Sequence, residues 1–315
     1  MRWATYVSPA DGSERVGVVR DGLVHGLREP VRLLDLLGDD GERLATAAQQ
    51  AVNDPAEVVA QAEVRLRAPI PLPPSIRDFM AFEAHVRTAR QAHGQAMDPD
   101  WYELPVFYFT NPAAVRGPND DIPISPGSQQ FDYELEVAAV IGRGGADLHP
   151  DTAEEHIGGY LLLCDWSARD LQAREMRQRL GPVKGKDGAT SFGPVLVTSD
   201  ELAPLRQGTA FDLRMTASVN GRPYSAGNLA DLYWSFGQLL AYASRGTRLL
   251  PGDVIGSGTV GTGCILELSA VHGEQRYPWL RPGDEVELAV GQLGSIRSRI
   301  TAAPEPIPLR AGGRS

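Results

Sequence analysis

At 315 residues, with 42% hydrophobic and 22% charged residues, the chain suits one large domain, or one with a small appendage, and can bury a sizeable core. A formal net charge of −10 argues against nucleic acid as the main partner, and no basic run suggests an anionic membrane surface. No stretch nears the ~18 apolar residues of a membrane span, the opening residues lack the apolar core of a leader, and the two cysteines form no CxxC; a reducing, cytoplasmic setting is expected.

Residues 1–68 read as a small amino-terminal unit. "RWATYV" and "RVGVVRDGLVHGL" are strand-like on either side of the turn-former "SPADGSE", and a helical stretch follows around "LLDLLGDDGERLATAAQQAV". The proline-rich "APIPLPPS" (68–75) marks a boundary. Phe79, Phe82, Val86 and Ala89 recur at helical spacing and predict a helix over "RDFMAFEAHVRTARQAHG". Residues 95–130 are rich in Pro, Gly and aromatics, long for a structureless connection and therefore a candidate functional loop. The segment 69–301 forms the main unit, and from 131 on it is mostly strands: "FDYELEVAAVIG", "GYLLLCDW", "GPVLVT", "FDLRMTASVN", "DVIGSGT", "ILELSAV" and "DEVELAV". "SARDLQAREMRQRL" and "ADLYWSFGQLLAYAS" read as helices, and residues 302–315 as a flexible tail.

Side chains alternate across a strand, so in "FDYELEVAAVIG" Asp132, Glu134 and Glu136 share one face. An acidic solvated face is one reading. The adjoining "VAAVIG" is apolar on both faces, which predicts burial on both sides, and carboxylates at the mouth of such a strand need a counter-charge. A bound cation is the alternative. Asp165 ends a second buried strand, "GYLLLCDW", before a helix that Ser167 is expected to N-cap, with Asp170 three residues later. Asp165 suits either a helix-entry hydrogen bond or a ligand. The donors are all oxygen, which points to Mg²⁺, Mn²⁺ or Ca²⁺ rather than zinc or copper. Of 30 Lys+Arg residues only Lys184 and Lys186 are lysine. A compact ammonium can approach one developing oxyanion and exchange a proton, where a guanidinium stays charged and planar; two solvated loop lysines are the plain alternative.

Together, "RDFMAFEAHV", "DYELEVAAVIG", "CDWSARDLQ" and "GKDGATSFGP", followed by "GDVIGSGT" and "CILEL", resemble the fumarylacetoacetate hydrolase superfamily over roughly residues 70–300. The resemblance is to its longer, fumarylacetoacetase-like branch. It implies a mixed α+β, strand-rich β-roll catalytic domain, preceded by a small α+β domain and assembled as a homodimer. It further implies a divalent cation, Mg²⁺ first, held by Glu134, Glu136 and Asp165, with Asp78 as a fourth acid opening the first helix or merely capping it. His85, seven residues after Asp78, would pair with Glu267, placed in the strand after "SGT", as a general base. Tyr108, Arg169, Gln172 and Thr259 match substrate-side positions. Lys186, with Thr190 four residues on, matches the catalytic lysine of this branch; alignment to the shorter branch would select Lys184.

The activity so implied is hydrolysis of a carbon–carbon bond in a small anionic 1,3-diketo acid, fumarylacetoacetate or an acylpyruvate, as in aromatic catabolism. Superfamily relatives also decarboxylate, isomerise or dehydrate 2-oxo and sugar acids. A Schiff-base lysine enzyme and a non-enzymatic dimeric binding protein with a degenerate pocket are the remaining alternatives.

Overall fold

A computed structural model describes residues 1–92 and 94–309. Its centre is an antiparallel pair, Leu135–Ile141 against Ile157–Asp165, with Leu135 opposite Cys164 and Ala138 opposite Leu161. Every residue of Leu135–Ile141 is buried. Strand alternation sends Leu135, Val137, Ala139 and Ile141 into one core and Ala138 and Val140 into another. On the facing strand Tyr160, Leu162 and Cys164 join the first core and Leu161 and Leu163 the second. The two-sided apolar run "VAAVIG" is therefore covered on both sides.

The main sheet runs Val58–Ala60, Leu23–Gly26, Glu14–Arg20, Arg2–Val7, Leu196–Val197, Ile157–Asp165, Leu135–Ile141, Val254–Gly256, Ile76–Phe79, Phe107–Thr110. Along this order, only Val254–Gly256 and Ile76–Phe79 pair parallel. The first core lies between this sheet and a five-stranded one, whose Met215, Ala217, Val286, Leu288 and Ile296 face it. The second core is closed by α1 (Glu42–Asn53), which lays Leu44, Ala47, Ala48 and Ala51 toward Trp3, Leu161 and Leu163. Each fully buried large apolar side chain is worth ~1.5–3 kcal/mol, so both sides of the central pair are firmly held. The first 66 residues share the sheet through Trp3 opposite Leu196, and Ala68 and Ile70 of the proline-rich stretch pack in the second core.

Three expectations are corrected. The helix expected from residue 77 begins later, as α2 (Glu83–Ala92), and Ile76–Phe79 is a strand paired on both edges; those two ladders override the helical spacing, so Asp78 does not open or cap a helix. Ser167 is not an N-cap: α3 is Arg169–Met176, Ser167 lies buried in the short strand Ser167–Ala168, and Asp170 instead accepts from Ser128 Oγ and the Gln129 N–H. After α4 (Ser199–Leu202) and α5 (Phe236–Ser244), the strand expected at "ILELSAV" is α6 (Ile265–His272). The Asp132 carboxylate accepts from the free N–H groups of Ile265 and Leu266 at its start (2.7 and 3.0 Å), which favours helix there. Residues 302–309 are exposed without regular structure; residues 310–315 of the expected tail, and His93 of the expected helix, lie outside the described residues. No helix of the described residues is long and apolar enough to cross a membrane.

Candidate active site and metal centre

The carboxylates appear where the second core ends. Asp78 follows Ile76 by two residues, Glu136 precedes Ala138 by two, and Asp165 follows Leu163 by two, so each is the next side chain on a face that is otherwise packed in that core. Gly256, paired with both Asp78 and Ala138, allows this approach, since a Cβ there would collide with the Asp78 carboxylate. Glu134 arrives by another route. The acidic ladder breaks at Tyr133, Glu134 bridges to Cys264, and Asp132 turns away to α6. Asp78, Glu134 and Asp165 each offer an oxygen, and these atoms lie within 4.8 Å of one another. Glu136 adjoins Asp78 and accepts from Thr259 Oγ1 at 3.4 Å.

Two cations serve this cluster. Lys186 Nζ donates to Glu134, to Asp165 Oδ2 (2.7 Å) and to Ser167 Oγ (2.7 Å), and it is buried. Lys184 is exposed and pairs with Asp187 instead. Arg169 donates through Nε to Asp132 Oδ2 (2.8 Å), pairs with Glu134 Oε1 (2.7 Å) and donates to Gln172 Oε1 (3.1 Å). The Tyr108 hydroxyl donates to Asp165, and Thr190, opposite Asp165 across the strand pair, holds a buried hydroxyl at the same end.

Five buried carboxylates thus face two cations. Burial pushes Asp78 up to about 6 and Asp165 up to about 7, and it lifts Glu136 well above the ordinary range with help from Asp78 and Glu134. Burial also works against an ionised Glu134, but Arg169 and Lys186 outweigh it and hold that carboxyl below the ordinary range. Asp78 Oδ1, Glu136 Oε2 and Asp165 Oδ1 are buried without a hydrogen-bond partner. Orphaned, charge-deficient oxygens of this kind fit a hard divalent cation.

A histidine–glutamate pair flanks the acids. His85, in the first turn of α2, meets Glu267, in the first turn of α6, at 2.6 Å between Nδ1 and Oε1, and Glu267 Oε2 accepts from the Thr262 N–H at 3.1 Å. Both are buried. Glu267 was expected on a strand; a carboxylate in the first turn of a helix is also favoured by the helix dipole.

Residues 75–301 match the family described as fumarylacetoacetate (FAA) hydrolase, C-terminal. The chain belongs to the fumarylacetoacetate hydrolase family. Fumarylacetoacetase of Arabidopsis thaliana is 31% identical over 242 residues, covering 61% of this chain and 57% of that protein. An oxaloacetate tautomerase of Bacillus subtilis is 30% identical over 240 residues, covering 76% and 73%. Fumarylacetoacetate hydrolase from Exiguobacterium antarcticum has the same fold, with a TM-score of 0.74 at 29% identity over 96% of this chain and 99% of that one. The chain matches less than two thirds of the length of the fumarylacetoacetases of Arabidopsis thaliana and rice. The superfamily includes hydrolases, isomerases and oxaloacetate tautomerases.

Within this fumarylacetoacetate hydrolase fold, two residues take roles other than those read from sequence, where Asp132 belonged to the acidic strand face and Ser167 was a helix cap. Asp132 ties Arg169 to the start of α6, and Ser167 receives Lys186. The tie made by Asp132 has no local signal, because its partners Arg169 and Ile265 are 37 and 133 residues away. Replacing it by alanine removes one of the two carboxylates that balance the buried Arg169 guanidinium and uncaps α6. Asp132→Ala should therefore lower stability by about 3–5 kcal/mol in urea unfolding.

Proposed function

We propose that the chain hydrolyses a carbon–carbon bond of a small 1,3-diketo acid, fumarylacetoacetate or an acylpyruvate. The observation that carries this reading is the buried His85–Glu267 pair beside the carboxylate cluster. A divalent cation, Mg²⁺ first, held by Asp78, Glu134, Glu136 and Asp165, would supply a Lewis acid and a template for the substrate's oxygens.

The chain's own groups do the rest. Glu267 holds the proton on His85 Nδ1, which leaves Nε2 to accept one from water. The hydroxyl so released bonds to a substrate carbonyl carbon, the adjacent carbon–carbon bond breaks, and its electron pair stays on the departing carbon. The proton held on Nε2 can then return to that carbon, so water is consumed and two acids form. Lys186 and Arg169 supply fixed positive charge for the oxygens that become negative, while Tyr108, Gln172 and Thr259 fix the substrate's position. The reading includes a homodimer, which sedimentation would reveal.

A second reading keeps the site and drops the hydrolysis. The oxaloacetate tautomerase matches a larger share of both chains than the Arabidopsis fumarylacetoacetase does, which favours proton transfer on a 2-oxo acid without bond cleavage. Turnover in heavy-oxygen water separates the two. Hydrolysis places one heavy oxygen in a product acid as the bond breaks; tautomerisation leaves the carbon skeleton whole.

Metal binding has its own readout. Mg²⁺ at 100 times its Kd should stabilise the protein by about 2.7 kcal/mol, seen as a rise in Tm that EDTA reverses. An unchanged Tm with Mg²⁺, Mn²⁺ and Ca²⁺ alike would contradict the proposed centre.

A further inference from the structure

A second group of donors lies beside the carboxylates and differs from them in chemistry. Cys264 stands just before α6 and Glu267 three residues on, while His85 approaches from α2. Cys264 Sγ is 3.7 Å from Glu267 Oε1, the same oxygen that lies 2.6 Å from His85 Nδ1. One donor atom from each of the three lies within 4.8 Å of the others. All three residues are buried, yet the His85 side chain keeps 11% of its surface open, and Cys264 is in no disulfide. The set is nitrogen, sulfur and oxygen, where the neighbouring cluster is oxygen alone.

We propose that His85, Cys264 and Glu267 form a site for a thiophilic first-row cation, zinc by preference, and that filling it silences the His85–Glu267 pair. Zinc takes sulfur at about 2.3 Å and carboxylate oxygen at about 2.0–2.2 Å, which at tetrahedral angles sets the two roughly 3.6 Å apart; Sγ and Oε1 stand at 3.7 Å. The imidazole and Oε1 need to part by roughly 0.8 Å as zinc takes Nδ1; the one proton of the neutral imidazole then sits on Nε2, which can no longer accept one from water. Three protein ligands leave a fourth position for water. Thiolate and imidazole select zinc over magnesium or calcium, which prefer oxygen. Glu267 Oε2 stays anchored on the Thr262 N–H, so Oε1 alone has to change partner. Burial pushes the Cys264 thiol up, so the metal-free protein holds it protonated and binding must release that proton.

The consequence is two neighbouring donor groups with different metal preferences. A hard cation among the carboxylates leaves the base intact; a soft one at His85 takes away both the base and the carboxylate that orients it. This proposal concerns binding and stands whether or not the substrate is a diketo acid.

Cobalt(II) is the probe, added to full-length protein already saturated with Mg²⁺. The expected result is a near-ultraviolet sulfur-to-cobalt charge-transfer band that Zn²⁺ abolishes, together with loss of turnover as Zn²⁺ binds. Cys264→Ser should lose the band and Cys164→Ser should keep it, with circular dichroism confirming that each is folded. His85→Ala should bind cobalt at least ~10-fold more weakly, since loss of even an outer-shell partner costs that much. Absence of the band in the wild type, or its persistence in folded Cys264→Ser, overturns the site. Should Cys264→Ser not fold, an unchanged cobalt affinity in His85→Ala overturns it equally. Full turnover with the zinc site filled overturns the silencing.

Discussion

Lys186→Met should destabilise the metal-free protein by about 3–5 kcal/mol and abolish turnover. Lys186 is the buried ammonium that Glu134, Asp165 and Ser167 share. Burial alone would lower its pKa, but Asp165 and Glu134 outweigh that and hold it above the ordinary lysine value, so it is charged at any working pH. Methionine fills similar volume and removes the charge, which leaves two buried carboxylates without their shared partner; breaking a buried pair in this way has the stated cost. Mg²⁺ should restore part of the stability, because a divalent cation neutralises the same oxygens, yet it should restore none of the activity. Urea unfolding with and without Mg²⁺ measures the first effect and a turnover assay the second. Wild-type stability without metal would mean that the ammonium does not balance the cluster.

His85→Ala should reduce kcat/KM by about 10²–10⁴, the range a positioned general base supplies, while leaving the Mg²⁺-induced rise in Tm in place. His85 contacts Glu267 and is not one of the orphaned carboxylates, so base and metal centre separate in this variant. Glu267→Gln, which keeps shape but loses the charge that orients the imidazole, should show a smaller loss in the same direction. Wild-type turnover in His85→Ala would remove the proposed base. Loss of the metal response instead would place His85 among the ligands.

The carboxylates were legible because their signal is local. Glu134 and Glu136 interrupt an alternating strand beside a run apolar on both faces, Asp165 ends another buried strand, and Lys186 is one of two lysines in a chain that otherwise uses arginine. Each of these carboxylates stands out within about ten residues of sequence; the two lysines stand out only against the whole chain, and the resemblance selected Lys186 over Lys184. Asp78 came from the resemblance and not from any local pattern, and its strand was not legible either, since Ile76–Phe79 is set by pairing with Val254–Gly256, far along the chain. Helical spacing at Phe79, Phe82 and Val86 was genuine local information that a distant ladder overrode. The same holds for α6: "ILELSAV" is strand-like by composition, and the Asp132 carboxylate that caps its start comes from 133 residues away. The resemblance supplied His85 and Glu267 as partners; their meeting at 2.6 Å depends on two helix starts that no local pattern specifies.

The most direct test of the central claim follows the ultraviolet absorbance of fumarylacetoacetate and a small acylpyruvate panel with Mg²⁺, then with EDTA, identifying the products of each trace. The account predicts loss of the diketo chromophore that needs the metal and yields two acids. A chromophore that stays intact at saturating Mg²⁺, with rapid keto–enol exchange or CO₂ release from oxaloacetate instead, would contradict the hydrolase reading and leave the same carboxylates and base serving an enolising enzyme.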